Sequence, residues 1–579
     1  MTNQSGASAR RKVAEVRPGE PRASVQARLQ DGRIYDAPPG TPLSEILKVA
    51  WGEASISAMA AVVNGRLCSL TEPLQCDSDV RPLTLADPDG VRIYRRSLCF
   101  LLVTAIGEIF PEAEVFFEHS ATTAGAYFCE IRGRKPFTRT ELAAIERRMS
   151  EIVKEDAPFI ECQAPVSQAI ELFNKRGEED KAHLFAHCRK AKVPLVTLRT
   201  HQDYVLGIMV ASAACLRYFA LHEYRTGFML QFPHQHRPTE LNSVAPYPKL
   251  FGVFEEYAEW LDRLGIRSTG ALNDAIAAGR LPEISLVQEA LHEARIARIA
   301  SSIVSRRASV RIVLVAGPSS SGKTTFSKRL AVQLLANGLR PFPLSLDDYF
   351  HERERTPRDE KNEYDYESIR ALDLELFNEH LKALIEGKTV QLPHYLFQTG
   401  SRGKGPTVRL GAGDIIIVEG IHGLNPALVP GLPAEVVYRI YVSALTQLNL
   451  DRHNRLNTTD CRLIRRIVRD AASRGYVADD TLRRWDSVVA GEKKYIFPFQ
   501  ENCDAIFNSA LVHELAILRP LADPLLLQVR PDSPRYLESN RLLSLLQWFR
   551  PAPCDCVPSN SILREFVGGS ILESFRLWV

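Results

Sequence analysis

Nine consecutive residues near the middle of the chain have the types and spacing of a phosphate-binding loop. An apolar run ending at Ala316 leads into the pattern G-x-x-x-x-G-K-T, and a helix-like run follows it. In such a loop the glycines let backbone N–H groups turn toward phosphate oxygens, a lysine reaches the outer phosphates and a threonine hydroxyl binds Mg²⁺. We therefore predict a nucleotide site formed by Gly317, Pro318, Ser319, Ser320, Ser321, Gly322, Lys323, Thr324 and Thr325.

Two apolar runs after this loop end in carboxylates. The run Pro343–Phe350 is predicted to be a strand that finishes in Asp347 and Asp348, and the run Asp414–Gly420 finishes in Glu419. Strand ends of a doubly wound sheet converge on the nucleotide crevice, so one of the two aspartates can reach both Mg²⁺ and an acceptor hydroxyl. Glu419 is placed as an acid on the metal side. A helix cap or a solvated turn remains the alternative for the aspartates.

A helix-like stretch further along carries five arginines. Spacings of three and four residues place most of them on one side of a helix, which is more positive charge than a salt-bridged surface helix needs. A lid that brings guanidinium groups over a transferring phosphoryl group is the functional interpretation. A solvated basic helix is the alternative for this set, which consists of Arg462, Arg465, Arg466, Arg469 and Arg474.

The bulk properties describe a chain that is large and nearly neutral. Its 579 residues are enough for about three or four domains. The 72 Lys and Arg residues nearly balance the 69 Asp and Glu residues, which does not favour a nucleic-acid-binding or membrane-binding protein. The 11 scattered cysteines are typical of a reducing compartment. There is no long apolar run and no secretory leader, so we expect a cytoplasmic protein without a membrane partner.

The first 90 residues divide into a tail and a small module. Residues 1–24 are poor in apolar residues and rich in Ser, Arg and Pro, which predicts a disordered tail. The basic run Arg10–Lys12 leaves an organellar transit peptide as an alternative, although two glutamates lie in the same tail. From residue 25 to 90, short alternating runs and turn signals surround one helix-like stretch, Leu43–Val49.

This module resembles the β-grasp TGS domain at the front of threonyl-tRNA synthetases. The segments that carry the resemblance are Leu29–Gly32, Pro39–Ile46 and Val63–Leu67. The resemblance implies a β-grasp domain over residues 25–90.

The following stretch, residues 91–240, is similar to the second additional domain of the same synthetases. Thr138 and Glu141 have the spacing of a capping box before an amphipathic helix, and the run Ile145–Pro158 carries the resemblance. In that family the domain presents an H-x-x-x-H pair for zinc-assisted editing, near the position of Arg96–Phe100 here. Neither histidine is present. We therefore expect an α+β module retained as a scaffold and not as a hydrolase.

Three other features complete the first half of the chain. His183 and His187 lie on one helical face, where a polar surface is favoured over a metal site. The segment Pro238–Pro248 is rich in Pro, Ser and Asn and is predicted to be a linker. Helical periodicity over residues 250–308 predicts a helical connector.

The second half of the chain resembles the uridine kinase and phosphoribulokinase family. The loop, Asp347, Tyr364-Asp365, the segment Tyr395–Arg402, Glu419-Gly420 and the arginine helix recur in that order. The resemblance implies an α/β P-loop kinase domain with a doubly wound parallel sheet over residues 309–530, and a C-terminal extension over residues 531–579. The whole chain is similar to a long form in which such a kinase domain follows the two synthetase-like modules.

The resemblance also implies roles for individual residues. Asp347 would take the proton from the acceptor hydroxyl, and Asp365 would grip acceptor hydroxyls. The implied catalytic set is Asp347, Lys323, Arg465 and Arg469; the substrate set is Asp365, Tyr395, Arg402 and Arg462; Thr324 and Glu419 would bind Mg²⁺; and ATP would be the phosphoryl donor.

One motif departs from the uridine kinase pattern. Uridine kinases carry a Y-D-F-x-x-H-x-R run whose tyrosine and histidine help recognise the pyrimidine, and here Leu396 and Gly400 replace its aspartate and histidine. Glycine cannot donate a side-chain hydrogen bond to a base, which weakens discrimination in a polar pocket.

We therefore predict an ATP-dependent kinase acting on a hydroxyl of a small metabolite, with the 5′-hydroxyl of uridine or cytidine as the leading acceptor. The first alternative is a sugar-phosphate kinase like phosphoribulokinase. The second is an RNA- or tRNA-associated ATP-binding regulator that contacts RNA through its N-terminal modules. Homo-oligomerisation is left open.

Overall fold

The computed structural model describes residues 22–575 except 122, 123, 245, 360, 361, 397 and 412. Most of the predicted tail, and with it the transit-peptide alternative, lies outside the described residues. Within them, no helix is both long and apolar enough to cross a membrane.

The first unit is a five-stranded mixed sheet with one helix. The strand order is β2-β1-β7-β4-β5, in which β1 and β7 run parallel and the other pairs antiparallel. The helix buries Leu43, Ile46 and Leu47, at spacings that share one face. The elements are β1 (Val25–Leu29), β2 (Ile34–Ala37), β3 (Thr41–Pro42), α1 (Leu43–Trp51), β4 (Ala60–Val63), β5 (Arg66–Cys68), β6 (Pro73–Leu74) and β7 (Ser78–Leu83).

The second unit packs helices against two antiparallel sheets, of order β13-β14-β9-β8 and β10-β11-β12. The predicted capping box is confirmed, because the Thr138 hydroxyl accepts from the Glu141 N–H and the Glu141 carboxylate accepts from the Thr138 N–H. The elements are α2 (Pro88–Ile109), β8 (Glu114–Ala121), β9 (Ala126–Arg132), α3 (Arg139–Lys154), β10 (Phe159–Pro165), α4 (Val166–Lys175), α5 (Glu179–Ala186), β11 (Lys192–Leu198), β12 (His201–Tyr204), β13 (Ala220–Tyr224) and β14 (Gly227–Gln231).

Three helices connect this unit to the rest of the chain: α6 (Pro248–Leu264), α7 (Thr269–Ala277) and α8 (Leu281–Ser305). Their apolar faces share one hydrophobic core with α4, α5 and the second half of the chain. His183 of α5 and His187, which directly follows this helix, contribute to this packing, since His187 Nε2 lies 2.7 Å from Asp274 Oδ1 of α7 and His183 contacts the same carboxylate. The pair joins two helices and is not an unpartnered polar surface.

The second half is built on a five-stranded, all-parallel sheet of order β16-β19-β15-β20-β21, which confirms the predicted parallel sheet. A separate hairpin, β17 with β18, extends from it. The elements are β15 (Ile312–Ala316), α9 (Lys323–Ala336), β16 (Arg340–Ser345), α10 (Leu374–Ile385), β17 (Val390–Leu396), β18 (Ser401–Val408), β19 (Asp414–Glu419), β20 (Val437–Ser443), α11 (Thr458–Arg474), α12 (Ala478–Tyr495), β21 (Ala505–Asn508), α13 (Glu514–Leu526), α14 (Tyr536–Leu546) and α15 (Arg564–Val567).

The register of the central strands explains where side chains meet. Glu419 at the end of β19 is level with Val315 of β15 on one side and with Ser345 of β16 on the other. The predicted phosphate loop follows β15, and the predicted acids follow β16 and β19. All of them therefore leave the sheet at the same carboxyl edge, where parallel α/β sheets bind ligands. The exact domain boundaries stay a prediction.

Candidate functional site

The backbone conformation of the loop between β15 and α9 depends on a few specific residues. A Cβ on Gly317 would lie 1.9 Å from the carbonyl oxygen of Val442, so only glycine fits against β20. Gly322 has φ +83°, and Ser320 also adopts a positive φ of 57°. These left-handed residues turn the chain back on itself just before α9, which is how consecutive N–H groups come to face one concave surface.

Lys323 and Thr324 open α9 at this loop. The Lys323 ammonium donates to the carbonyl of Pro318 at 3.2 Å, which folds it back across the loop. The Thr324 hydroxyl donates to Glu419 Oε2 at 3.1 Å. A hydroxyl and one carboxylate, completed by phosphate oxygens and water, form the kind of oxygen site that Mg²⁺ adopts. The two residues predicted to hold the metal therefore lie together and fit the ion.

The structure separates the roles of the two adjacent aspartates. The strand β16 ends at Ser345, earlier than predicted, because the chain turns into a 3₁₀ helix over Leu346–Tyr349. Asp348 is taken up by the hairpin: its Oδ1 accepts from the Tyr395 N–H at 3.1 Å and lies 3.0 Å from His394 Nδ1. Asp347 is exposed. Asp347 is thus the aspartate left available at the sheet edge.

The acids at this edge share an electrostatic environment. Removal from bulk water by the walls of the cleft raises the pKa of Asp347, Lys323 opposes that rise, and the neighbouring Asp348 adds to it. Burial also raises the pKa of Glu419, again opposed by Lys323 and reinforced by Asp347. The Lys323 ammonium is the cation that acts on both carboxyls. The cleft gathers negative charge that a divalent cation would neutralise.

Two of the predicted arginines lie beneath the loop and not over it. Arg462 is 1% exposed and forms a bidentate ion pair with Glu492 while donating to the Ser319 carbonyl at 3.0 Å. Arg465 is 0% exposed and is paired with Glu514. No part of either side chain reaches a surface from which substrate could approach. The predicted substrate role of Arg462 and catalytic role of Arg465 therefore do not fit this geometry, because helix α11 turns these two positions into the core.

The remaining arginines of α11 lie on a less buried side. Arg466 donates to the Ser319 hydroxyl at 2.9 Å and contacts Asp470, and Arg469 contacts the same Asp470. Arg474, whose side chain is 50% exposed, lies 3.5 Å from Asp470 as well. Three guanidinium groups thus share one carboxylate and leave a surplus of positive charge. Of the arginines predicted to be catalytic, Arg469 stays in this group.

The predicted acceptor-side residues are more widely spread. Asp365 Oδ2 accepts from the Tyr495 hydroxyl of α12 at 3.3 Å. Tyr395 and Arg402 are partners across the β17–β18 hairpin, and Arg402 donates to Asp373 at 3.0 Å. Tyr395 is buried, with its ring 5.6 Å from that of Phe350. In this arrangement both hairpin residues are engaged by protein.

Gly400 occupies a position that no histidine could take without rearrangement. Its φ is +71°, and a Cβ there would lie 2.6 Å from Arg353 Nε. The Arg353 N–H also donates to the Gly400 carbonyl at 2.9 Å. A histidine at this position would therefore require Arg353 to move and the backbone at residue 400 to adopt a strained conformation.

The sequence analysis did not predict a role at the loop for three glutamates. Glu492 Oε1 accepts from the Ser319 N–H at 2.9 Å. Glu565, on α15 of the C-terminal extension, accepts from the Thr325 N–H at 3.3 Å and from its hydroxyl at 2.8 Å. Burial, together with Glu492, raises the pKa of Glu367 to about 7. Their sequence positions lie far from the loop, so spacing could not have indicated them.

Residues 312–516 match the Phosphoribulokinase / Uridine kinase family. This segment contains β15 through β21 and the first residues of α13, and with them the loop, Asp347, Glu419 and α11.

The N-terminal region is similar to threonine–tRNA ligases. The ligase of Nitrosomonas eutropha is 36% identical over 161 residues, which is 28% of this chain and 25% of the ligase. The ligase of Desulforamulus reducens is 31% identical over 160 residues, again 28% of this chain and 25% of the ligase. The chain therefore spans about a quarter of the length of these curated relatives.

Among solved structures, D-glycerate 3-kinase from Cryptococcus neoformans has a TM-score of 0.27 and 16% identity, covering 36% of this chain and 89% of its own. A possible uridine kinase from Bacillus stearothermophilus has a TM-score of 0.22 and 27% identity, covering 25% of this chain and 78% of its own.

Proposed function

We propose that the protein is an ATP-dependent kinase that transfers a phosphoryl group to a hydroxyl of a small metabolite. The observation that carries the proposal is the convergence at one sheet edge of the loop, the Thr324–Glu419 hydrogen bond and the available carboxylate of Asp347. Phosphoryl transfer requires positioning and charge neutralisation more than covalent chemistry. A loop, a metal-binding pair and a base are the parts that it needs.

Each residue has a defined part in this mechanism. The loop amides and the Lys323 ammonium hold the phosphates, and Thr324 and Glu419 hold Mg²⁺, which supplies charge neutralisation at the phosphate oxygens when it is bound. Asp347 accepts the proton of the attacking hydroxyl, a contribution of ~10²–10⁴-fold for a positioned base. Arg466, together with Arg469, is the better candidate to neutralise the transferring group.

The buried arginines take a supporting role in this proposal. Arg462 and Glu492 grip the Ser319 peptide from both its carbonyl and its N–H side. Arg465 donates to the Ser320 carbonyl of the loop at 3.5 Å while it is paired with Glu514. Such contacts fix the loop before a nucleotide arrives, which lowers the cost of ordering it.

For the acceptor we propose first a pyrimidine nucleoside, phosphorylated on its 5′-hydroxyl. Asp365 would bind acceptor hydroxyls, next to the Tyr495 hydroxyl that it already contacts. The family matched over residues 312–516 includes uridine kinases, which supports a nucleoside acceptor, and phosphoribulokinases, which supports the second class below equally.

A specific observation favours a second acceptor class, sugar phosphates or other polyols. The hairpin end at Gly400 has no space for the histidine of the uridine kinase pattern, and Arg353 occupies that space. A cationic guanidinium suits an anionic substrate better than a neutral base.

For the N-terminal units we propose a β-grasp TGS domain over residues 25–90 and a synthetase-like scaffold over residues 91–240. The mixed five-stranded sheet with α1 supports the first, and the similarity to threonine–tRNA ligases supports the second. An RNA-linked regulatory function is not favoured, because a pure switch needs no base at Asp347.

The experiment is to measure ADP release by the purified full chain with Mg·ATP across pyrimidine nucleosides, sugar phosphates and other polyols. Lys323→Ala serves as the blank. Release that is stimulated by nucleosides alone supports the first acceptor, and release stimulated by phosphorylated sugars supports the second. Silence across the panel by protein that still binds ATP would contradict the kinase proposal.

A further inference from the structure

A large cavity lies away from the phosphate loop, where the second unit meets the C-terminal half of the chain. Its volume is about 590 Å³, which is in the range of sites for small molecules. Its walls come from α2, from β12 and the residues after it, from the loop before α11, and from α14. The segment Arg96–Phe100, where the synthetase resemblance places an editing motif, contributes Arg96, Cys99 and Phe100 to the lining.

The charges around this cavity do not balance. Six arginines and three aspartates line it. All three aspartates are already committed: Asp89 to Arg92, Asp460 to Arg541, and Asp203 to Lys181 and His453. Among the lining arginines, Arg66, Arg92 and Arg541 have carboxylate partners.

The other three lining arginines have no carboxylate partner among the described residues. Within the described part of the chain, Arg95, Arg96 and Arg455 form no ion pair. The Nε atom of Arg95 and the Nη1 atom of Arg455 are buried and have no hydrogen-bond partner among the described residues, whereas the Nε atom of Arg455 donates to the Glu118 carbonyl at 3.4 Å. Arg96 donates to the Ile208 carbonyl at 2.6 Å, and its guanidinium also faces Gly207. Buried donors without acceptors cost free energy, so such a cluster needs a reason.

The same three arginines have lowered pKa values. Burial lowers the pKa of Arg95 and that of Arg455. Burial, with the charge of Arg541 acting in the same direction, lowers the pKa of Arg96 to about 10. Each shift means that the protein around the cavity disfavours the charged guanidinium. An anion in the cavity would reverse that effect.

The rest of the lining suits a planar, apolar group. Phe100, Phe117, Tyr127 and Tyr204 all contribute to the walls. The Arg455 guanidinium lies 4.8 Å from the centre of the Tyr127 ring, and the Arg95 guanidinium lies 4.3 Å from that of Phe232. Aromatic faces of this kind hold guanidinium groups in place and stack on ring-bearing ligands.

We infer that this cavity binds a small phosphate monoester attached to a ring, of the size of a nucleoside monophosphate. Arg95, Arg96 and Arg455 bind the phosphate, since guanidinium groups present several donors in a planar fork that matches phosphate oxygens. The aromatic walls receive the ring. The site is distinct from the phosphate loop and does not depend on the proposed acceptor.

The test uses the full chain with Lys323→Ala, so that the phosphate loop contributes little to ligand binding. Isothermal titration calorimetry compares UMP, AMP, inorganic phosphate and uridine. We expect both nucleotides to bind, uridine not to bind, and inorganic phosphate to compete with UMP at higher concentration. Arg95→Gln and Arg455→Gln, each added to this background, should weaken UMP binding at least tenfold. Arg66→Gln is the matched control, because Arg66 lines the cavity but is paired with Glu72, and it should change binding less than threefold.

A second measurement needs no substitution inside the cavity. Hydrogen–deuterium exchange with and without UMP should show protection in α2 and in residues 452–457. The proposal is overturned if the Lys323→Ala protein binds none of the phosphorylated ligands, or if UMP protects other segments and not these. Equal affinity of Arg95→Gln, Arg455→Gln and the parent would also overturn it. Binding of inorganic phosphate with the same affinity as UMP would contradict the role of the aromatic walls.

Discussion

At the scale of single residues, Asp347 is the group on which turnover depends in our proposal. Asp347→Asn keeps the size of the side chain but removes its capacity to accept a proton. We expect ATP affinity to stay within about threefold of the parent and turnover to fall by ~10²–10⁴-fold. Asp348→Asn is the matched control, because the neighbouring aspartate holds the hairpin through Tyr395 and His394. Turnover that survives in Asp347→Asn but not in the control would assign the base to Asp348.

The raised pKa of Asp347 also predicts how turnover depends on pH. A base must be deprotonated, and the walls of the cleft around this exposed carboxyl partly remove it from bulk water, which raises its pKa above its usual range. Turnover should therefore decline, as the pH falls, at a higher pH than an ordinary aspartate would give. The measurement is the pH profile of kcat with saturating Mg·ATP. Since the pKa of Glu367 is about 7, the profile of Glu367→Gln is the control: an acid limb that disappears in this variant belongs to Glu367.

Single residues also show what a sequence can and cannot predict. The loop and Glu419 could be predicted because their chemistry is local: a glycine pattern, or an acid at the end of an apolar strand. The fate of the arginines could not, because spacings of three and four say which residues share a helix face and not which face meets the core. Arg462 and Arg465 face inward because Glu492 and Glu514, on other helices, neutralise them there.

At the scale of elements, α15 makes a direct contact with the phosphate loop. The carboxylate of Glu565 accepts from the Thr325 N–H. This amide belongs to the N-terminus of α9, where the phosphates of a nucleotide would bind. Ile562 packs against Gly322, so the segment is seated on the loop itself. A carboxylate here competes with phosphate for donors and adds negative charge.

Glu565→Gln should therefore bind ATP more tightly. Removing the charge while keeping the shape should lower the Kd for ATP about three- to tenfold, the equivalent of about 1 kcal/mol. Calorimetry on the full chain measures this Kd. Glu573→Gln, an exposed glutamate in the same segment, is the control and should have no effect. Weaker binding by Glu565→Gln would mean that the carboxylate shapes the loop and does not compete with phosphate.

At the scale of the whole molecule, a partly buried ion-pair network joins the second unit to α14. Glu538 accepts from Arg92 of α2 and from Arg541 of α14. Burial alone would raise the pKa of Glu538, but the two arginines outweigh it and lower the pKa to about 2. Against an ordinary value of 4.5, this difference corresponds to about 3 kcal/mol of stabilisation.

Loss of this network should be visible in stability and in its pH dependence. For a carboxyl with a lowered pKa, the stabilisation is present above about pH 4.5 and is lost as the pH falls toward 2. Glu538→Gln should lower the thermal midpoint by several degrees at pH 7, and the difference from the parent should shrink below pH 4.5. Glu72→Gln, which removes an exposed pair with Arg66, should change the midpoint by a degree or less. An unchanged midpoint in Glu538→Gln would show that the pair only compensates for its own desolvation.

The arrangement of the units is the part of the fold that sequence could least anticipate. The parallel sheet and the capped helix α3 follow from periodicity and local signals. The shared core and the pairs across it, such as Asp180 with Arg452 and Lys181 with His453, join residues more than 270 positions apart. No spacing rule relates such positions. Sequence patterns therefore predict the separate units but not the interface between them.

Helix α11 connects that interface to the phosphate loop. Near its start, Asp460 pairs with Arg541 at the arginine-lined cavity; six residues later, about 9 Å along the axis, Arg466 contacts the Ser319 hydroxyl of the phosphate loop. A displacement of α11 would therefore alter both contacts. If occupancy of the cavity changes the affinity for nucleotide by some factor, nucleotide must change the affinity of the cavity by the same factor. The start and the middle of α11 are then two points of a single reciprocal linkage, which can be measured by titrating either ligand.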